Sequence, residues 1–146
     1  MRMVFGTGLG RNLAMWDIAD HCRVAEESGF SNVTFVDQQN LSRDIYAMMS
    51  VAAMSTKRIH IGQGVTNPFT YHPSVIANAT ASIDEMSGGR AFLGIGVGGN
   101  APLTMGLKPS PMKELREAIE FIRKYMSGEE AQYKGGKMHS EWIRRP

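Results

Sequence analysis

The sequence predicts an α/β fold in which four parallel strands alternate with helices. Two short apolar runs, Ile59–Val65 and Arg90–Val97, enclose an amphipathic segment at Pro73–Met86. Parallel strands need a connection of a dozen or more residues, usually a helix, and strands buried on both faces are almost continuously apolar. Ligands of such sheets bind beyond the carboxyl ends of the strands. We therefore expect the functional residues at Gly64–Pro68 and Gly96–Asn100.

The residues before this unit continue the same alternation. Arg2–Gly6 is the candidate first strand, and the glycine-rich stretch Gly6–Gly10 is expected to break regular structure. Apolar residues recur at helical spacing over Ala14–Ser28, which predicts an amphipathic helix. The next two predicted elements are a strand at Asn32–Val36 and a helix at Arg43–Ser55.

The residues after this unit add a loop, a helix and a tail. Asn100–Ser110 is predicted to be a polar loop, and Pro111 then opens a helix over Glu114–Met126. The charged tail Glu129–Pro146 is expected to be either a hairpin or disordered. Regular βα repetition leaves an open doubly wound sheet or a (β/α)8 barrel, and a barrel needs about 200–250 residues. The chain, with 146 residues, supplies four strands and only about half of the length of a barrel.

The composition is that of an ordinary globular protein and argues against several kinds of partner. Apolar residues make up 42% and charged residues 21% of the chain. A net charge of +2 gives no reason to expect nucleic acid or a membrane as partner, and no apolar run approaches the roughly 20 residues that span a bilayer. We expect no signal peptide, because the N-terminus has no h-region and no small-residue cleavage site, and a single cysteine, Cys22, suits a reducing compartment. We expect a cytoplasmic location.

The glycine-rich run Gly94–Gly99 matches the G-x-G-x-x-G pattern of dinucleotide-binding proteins. That fingerprint requires the glycines to open a helix directly, whereas Asn100–Pro102 follows here and the next predicted helix comes later. Two other interpretations remain. The glycines let a flat ligand approach the strand ends closely, or they relieve crowding inside a tight barrel.

Single polar residues near the strand ends have competing interpretations. Asp37 ends the second strand, where it could accept hydrogen bonds from a ligand or act as a loop carboxylate or helix cap. His72 precedes a predicted helix and either faces the same rim or caps that helix. Arg90 is expected to pair with Asp84 or Glu85 rather than with a ligand. The histidines and the cysteine lack metal-ligand spacing, so we expect no metal site.

The block GVTNPFTYHPSVIANATASIDEMSGGRAFLGIGVG, Gly64–Gly98, strongly resembles the core of the luciferase-like oxidoreductases. AEESGFSNVTFVDQ, Ala25–Gln38, fits the same pattern, and so does Met105–Leu107. The resemblance is strongest to the coenzyme F420-dependent members, such as methylenetetrahydromethanopterin reductase. It implies that residues 1–146 form one domain, the N-terminal half of a (β/α)8 TIM barrel, because members of this family are roughly twice as long.

The resemblance implies an oxidoreductase that binds F420 or FMN in the mouth of the barrel. Such enzymes transfer a hydride to or from a small organic substrate or, with FMN and oxygen, act as monooxygenases. It implies a non-proline cis peptide at Gly64–Val65 behind the ring. Gln38 stands where several F420 enzymes have a histidine, so no catalytic residue is assigned. The cofactor-binding residues implied are Asp37, Gly64, Val65, Asn67, Val97, Gly98 and Gly99.

A half barrel leaves two strand edges and one sheet face without a partner. We expect the chain to be a truncated form of a longer protein, or to pair as a homodimer or with the missing half. The alternatives to an enzyme are a non-catalytic cofactor-binding or dimerisation module and an inactive fragment. The family's phosphate-binding groups lie largely in the second half of the barrel, so F420 and FMN are not distinguished.

Overall fold

A four-stranded parallel sheet forms the centre of the computed structural model, which describes residues 3–108 and 111–143. Each strand pairs with the next one in sequence, so the strand order is β1-β2-β3-β4 without reversal. This winding is that of a (β/α)8 barrel rather than of a doubly wound sheet, whose order reverses at a switch point. The elements are β1 (Gly6–Leu9), α1 (Ile18–Glu27), β2 (Asn32–Phe35), α2 (Ile45–Ser55), β3 (His60–Gln63), α3 (Pro73–Ser87) and β4 (Ala91–Phe92).

The main core lies between the sheet and the helices. Val33, Phe35 and Ile61 point from the strands into this core and are fully buried there, together with residues of α1 and α2 such as Ile18 and Met49. Side chains alternate along a strand, so the intervening residues lie on the opposite face of the sheet. The parallel α/β prediction is confirmed.

The first strand begins later than predicted. The sequence suggested Arg2–Gly6, whereas the strand is Gly6–Leu9, and Arg2 lies outside the described residues. Gly6 and Gly8, which were expected to break regular structure, instead belong to the strand, and Gly10 follows its end. A side chain on Gly6 would overlap the side chain of Asn32 on the neighbouring strand, so close packing explains that glycine.

The third and fourth strands are shorter than predicted. The expected Ile59–Val65 is reduced to His60–Gln63, and Arg90–Val97 is reduced to Ala91–Phe92. After β4 the chain continues beside β3 and forms one isolated parallel bridge, between Thr66 and Ile95. An apolar run predicts a buried extended segment, but it does not reveal where ladder hydrogen bonds stop.

The chain after the sheet contains one element that the sequence did not predict. A short helix, α4 (Asn100–Thr104), lies within the expected loop Asn100–Ser110, whose last two residues are outside the described part. The Thr104 hydroxyl donates to the Gln39 carbonyl at 3.1 Å, and Asn40 Nδ2 donates to the Thr104 carbonyl at 3.5 Å. These two hydrogen bonds connect α4 to the loop after β2.

The C-terminal part forms a second, smaller core. Helix α5 (Met112–Met126) packs on α3 and on an antiparallel hairpin, β5 (Ala131–Tyr133) and β6 (Gly136–Met138). This hairpin is one of the two alternatives predicted for the tail. None of the helices in residues 3–108 and 111–143 has the length and apolar character needed to cross a membrane.

Arg90 is buried, and the predicted pairing with Asp84 or Glu85 is wrong. Its guanidinium donates instead to four backbone carbonyls and one hydroxyl; these acceptors are Ala53 O, Thr56 O, Thr56 Oγ1, Ile59 O and Ser87 O, at 2.7–3.0 Å. Asp84 accepts from the Ala91 backbone N–H. Carbonyls at helix C-termini carry partial negative charge, so one cation joins the ends of α2 and α3 to β3.

Glu26 joins α1 to the segment before β3. Its carboxylate accepts hydrogen bonds at 2.6–3.0 Å from three successive backbone N–H groups, those of residues 57–59. Burial raises the pKa of this carboxyl group, but the backbone donors and the charge of Arg58 lower it by more, so the net shift is downward. The negative charge therefore stabilises the fold.

We expect Glu26→Gln to lower the free energy of unfolding by about 1 kcal/mol at neutral pH. A carboxyl pKa that is lower in the folded state gives stability that is complete above the unfolded-state pKa and is lost as the pH falls through the folded-state value. Urea unfolding of the two proteins from neutral to acid pH should therefore give curves that converge. Glu27→Gln, on the exposed adjacent residue, is the control, and parallel curves for Glu26→Gln would contradict this role.

Candidate functional site

A cleft of about 300 Å³ opens at the carboxyl ends of β2, β3 and β4. Three loops form its walls because parallel strands end at the same edge of a sheet. The residues that line it are Val36, Asp37, Gln38, Gly64, Val65, Asn67, Gly98, Gly99, Asn100 and Ala101. Six of the seven residues predicted to bind a cofactor are among them, and Val97 is not. That these residues bind a cofactor stays a prediction.

Asp37 is a buried cleft carboxyl group and not a helix cap. Its side chain accepts two hydrogen bonds of 2.6 Å, from Thr66 Oγ1 to Oδ2 and from Gln39 Nε2 to Oδ1, and the residue is 5% exposed. Helix α2 is capped by Asp44, whose carboxylate accepts from the Ala47 backbone N–H. Burial raises the pKa of Asp37; the Thr66 and Gln39 hydrogen bonds oppose this, Asp44 adds to it, and the net shift is upward.

The Gly64–Val65 peptide bond is cis, as the resemblance implied. It follows the end of β3 and lies on the cleft wall. The Val65 side chain is 50% exposed and gives this wall an apolar surface. A Cβ on Gly64 would lie 2.8 Å from Thr34 Cβ on β2, so the neighbouring strand leaves room only for glycine.

Asn67 fixes the loop after β3. It is 2% exposed, and its Oδ1 accepts hydrogen bonds of 3.1 Å from the backbone N–H groups of Phe69 and Thr70. The side chain thus closes a local turn of the kind that Asn favours. Because Oδ1 is occupied in this way, the amide nitrogen is the part of Asn67 left to meet a ligand.

Crowding, one of the two interpretations of the glycine run, applies at two of its positions, and close approach of a ligand stays a prediction. A Cβ on Gly94 would overlap the Gln63 carbonyl oxygen, and one on Gly98 would lie 2.7 Å from Pro102. Gly98 also has φ of +78°, which glycine adopts without strain. Crowding therefore explains these two. A Cβ on Gly99 would meet nothing within 4 Å, so this glycine leaves open space beside the cleft.

The sequence did not identify the residues that hold Asp37. Thr66 is fully buried and Gln39 half-buried, and both donate to the carboxyl group. Thr66 lies within the predicted functional segment after the third strand, which was the available signal. Gln39 gave none, because one amide in a polar loop has no distinctive pattern.

The other candidate residues lie outside the cleft. His72 caps α3, since its Nδ1 accepts from the Ser74 backbone N–H at 3.2 Å, and its ring packs edge-on against Tyr133. This confirms the capping interpretation. Cys22 is fully buried, and burial raises the pKa of its thiol to about 11, which disfavours the reactive thiolate. The described part of the chain contains no group of three or more potential metal ligands.

Known proteins resemble this chain in sequence and in structure. The profile of the family described as luciferase-like monooxygenase matches residues 4–146. The 5,10-methylenetetrahydromethanopterin reductase of Archaeoglobus fulgidus is 36% identical over 135 residues, which are 91% of this chain and 40% of that protein.

Two solved structures have the same fold as this chain. The coenzyme F420-dependent tetrahydromethanopterin reductase of Methanopyrus kandleri superposes with a TM-score of 0.83 at 30% identity, over 92% of this chain and 43% of that one. An oxygenating constituent of 3,6-diketocamphane monooxygenase from Pseudomonas putida, solved with FMN, gives 0.79 at 18% identity, over 97% of this chain and 45% of that one, and this likeness concerns the fold alone.

These two solved proteins are TIM barrels of which the chain spans less than half, so its four βα units correspond to half of a barrel. The predicted half-barrel fold is confirmed. Because the family profile matches nearly every residue and a 36% identical relative aligns with 91% of the sequence, the chain belongs to the luciferase-like monooxygenase family.

Proposed function

We propose that this chain forms the ring-binding wall of an oxidoreductase that uses coenzyme F420 or FMN. The observation that carries the proposal is the convergence of Asp37, the Gly64–Val65 peptide, Asn67 and Gly98–Gly99 on one cleft at the strand ends. These residues come from three separate parts of the sequence. Their convergence at the usual ligand-binding edge of a parallel sheet supports a shared role.

The chemistry of the cleft fits a flat ring better than a phosphate group. Its lining contains no Lys, Arg or His, and Asp37 is its one ionisable residue. The Val65 side chain offers an apolar surface, and the bare backbone at Gly99 allows close approach. Phosphate sites commonly use cationic side chains beside backbone N–H groups, and the lining offers no such cation. We therefore place the ring in this cleft and the phosphate-bearing part of the cofactor elsewhere.

When bound, such a cofactor supplies the hydride chemistry itself. The residues of this chain bind and orient the ring and exclude water from one of its faces. Val65 and the backbone of Gly98–Gly99 would contact the ring, and Asp37, held by Thr66, would present a carboxyl group to its edge. Fixing the ring relative to a small organic substrate lowers the entropic part of the barrier.

F420 is favoured over FMN by the sequence likeness. The 36% identical relative is a methylenetetrahydromethanopterin reductase, and the 30% identical solved structure is named as F420-dependent. The solved protein that contains FMN is 18% identical. We keep FMN, and with it a monooxygenase reaction, as the second candidate.

Direct titration tests this proposal. The chain is titrated with F420 and with FMN at several protein concentrations, and the ring fluorescence is followed. We expect saturable binding, with F420 binding more tightly. Absence of saturable binding of either ring by the folded chain would contradict the cofactor assignment.

Asn100→Trp should weaken ring binding by at least about tenfold, or 1.4 kcal/mol. Asn100 is exposed in the first turn of α4 and lines the cleft, so an indole there would occupy the part of the cleft in which we propose that the ring binds. Leu103→Trp is the matched control. Leu103 lies in the same helix, is 59% exposed and does not line the cleft, so its replacement should leave affinity unchanged. Equal effects of both would contradict the location.

We also propose a partner for the sheet and a cytoplasmic location. Within the described residues β1 and β4 are the edges of the sheet, and each can accept another strand. A second copy or a complementary half barrel would satisfy both edges, and sedimentation over a range of concentrations distinguishes a homodimer from a monomer. A dimer that binds the ring without turnover would instead support the non-catalytic module.

A further inference from the structure

Asp37 is buried without a cation to balance a negative charge. Its two hydrogen-bond donors, Thr66 and Gln39, are both neutral, and no ion pair within the described residues includes it. Burying an unpaired carboxylate is costly, and a carboxyl group in this position lowers the cost by keeping its proton. Compared with an exposed aspartate, burial therefore shifts Asp37 toward the neutral acid, and its two hydrogen-bond donors oppose this shift only in part.

Within residues 3–108 and 111–143, the titratable groups that interact with Asp37 are all acids. Helix α2 contributes Asp44 at its N-cap and Tyr46, and the loop before α3 contributes Tyr71. The loop after β4, which forms the opposite wall, contributes only glycine, asparagine and alanine to the cleft. The charge of Asp44 opposes ionisation of Asp37. Burial of Tyr46 and the proximity of Asp37 raise the pKa of that phenol, so it stays neutral.

The hydrogen bonds at Asp37 leave one role open for its proton. Thr66 donates to one carboxyl oxygen of Asp37 and Gln39 donates to the other, so each oxygen already accepts one hydrogen bond from the protein. A protonated carboxyl group can still accept both of these hydrogen bonds and has one O–H to donate. Among the residues that line the cleft, no other side chain is an ionisable donor.

We propose that Asp37 binds the ring as a neutral carboxylic acid, donating its proton in a hydrogen bond to a carbonyl or anionic oxygen on the edge of the ring. This inference rests on the proposed function. It reverses the role expected from the sequence, in which a carboxylate accepts hydrogen bonds from the ligand. A bound ring with negative charge is then accepted without repulsion in a cleft that has no cation.

The first test measures the protonation of Asp37 in the ligand-free chain. Carbon-13 NMR of the labelled aspartate side chains, assigned with Asp37→Asn, should give Asp37 a pKa above the ordinary aspartate value. Asp44→Asn should lower that pKa, because it removes the nearby charge while Asn still caps α2. Thr66→Val should raise it, because the valine cannot donate. An ordinary or lowered pKa, or shifts of the opposite sign, would overturn the proposal.

The second test follows the binding of F420 and of FMN as a function of pH. Above the Asp37 pKa, the wild type must take up one proton to bind the ring. Its affinity therefore falls about tenfold for each unit by which the pH rises. Asp37→Asn supplies a neutral donor at every pH and should lack this component. Ionisation of the ring affects both proteins equally, so the difference between their profiles isolates Asp37.

The outcomes separate this inference from the proposed function. Absence of saturable binding by the wild type at any pH would contradict the proposed function and the inference with it. Binding with the same pH profile in both proteins, or loss of binding in Asp37→Asn at every pH, would overturn the inference alone. In the latter case the ring requires a carboxylate acceptor. Asp20→Asn, on the exposed face of α1, is the control for loss of one charge and should follow the wild type.

Discussion

Gly94→Ala is expected to destabilise the chain by at least about 3 kcal/mol. Gly94 lies beside the end of β3, and an added Cβ would overlap the carbonyl oxygen of Gln63. A flexible side chain could move away from such a contact, but this oxygen belongs to the backbone of a central strand. The variant must therefore separate the two strands or shift the whole loop after β4.

Urea unfolding measures this effect, and Gly8→Ala is the matched control. Gly8 is in β1, and a Cβ there would lie 3.5 Å from Thr34 Oγ1, an ordinary van der Waals distance. The control should be tolerated or slightly stabilising, since alanine reduces the freedom of the unfolded chain. Equal stability of the two variants would show that β3 and the segment after β4 are not packed as described.

Arg90→Met should cost about 3–5 kcal/mol of stability. Methionine fills much of the same volume but donates no hydrogen bonds, so the carbonyls of Ala53, Thr56, Ile59 and Ser87 lose their shared partner. Buried carbonyls without a donor retain the cost of leaving water, and that cost adds up over several groups. The loss should affect both helix ends together, because one side chain serves both.

Hydrogen exchange resolves where this loss occurs. The amides near the ends of α2 and α3 should exchange faster in Arg90→Met, whereas those of α5 should change less. Arg23→Met is the control, because Arg23 is exposed and pairs with Asp20 on the surface of α1. Surface ion pairs contribute little, so that variant should stay within about 1 kcal/mol of the wild type. A similar loss in both would contradict the assigned role of Arg90.

Patterns that depend on neighbours in sequence predicted the elements of this fold well. Helical spacing identified α1, α2, α3 and α5, and Pro73 and Pro111 marked two of the helix starts. The ends of the strands were less predictable, because strand length depends on the partner strand. Gly6 illustrates this. It is a glycine because the side chain of Asn32 on the adjacent strand takes the space of a Cβ, and the sequence around Gly6 does not show that neighbour.

The site was only partly predictable for the same reason. The resemblance identified Asp37 and Gly64–Val65, and parallel topology brought them to one edge. The surroundings of Asp37 were not predictable, because Thr66 is 29 residues away in sequence and Gln39 is one amide in a polar loop. The sequence shows such residues but not their contact with the carboxyl group. Arg90 was misjudged in the same way, because its partners are carbonyls that every residue has.

The hydrogen bonds between α4 and the loop after β2 have a mechanical consequence. Thr104 and Asn40 join two segments that carry opposite walls of the cleft, so their hydrogen bonds connect one wall directly to the other. Both bonds are exposed and can exchange with water at little cost. They hold Thr104, the last residue of α4, whereas Ala101 and Pro102 in its first turn are buried. One end of this short helix is thus fixed by packing and the other by contacts that water can replace.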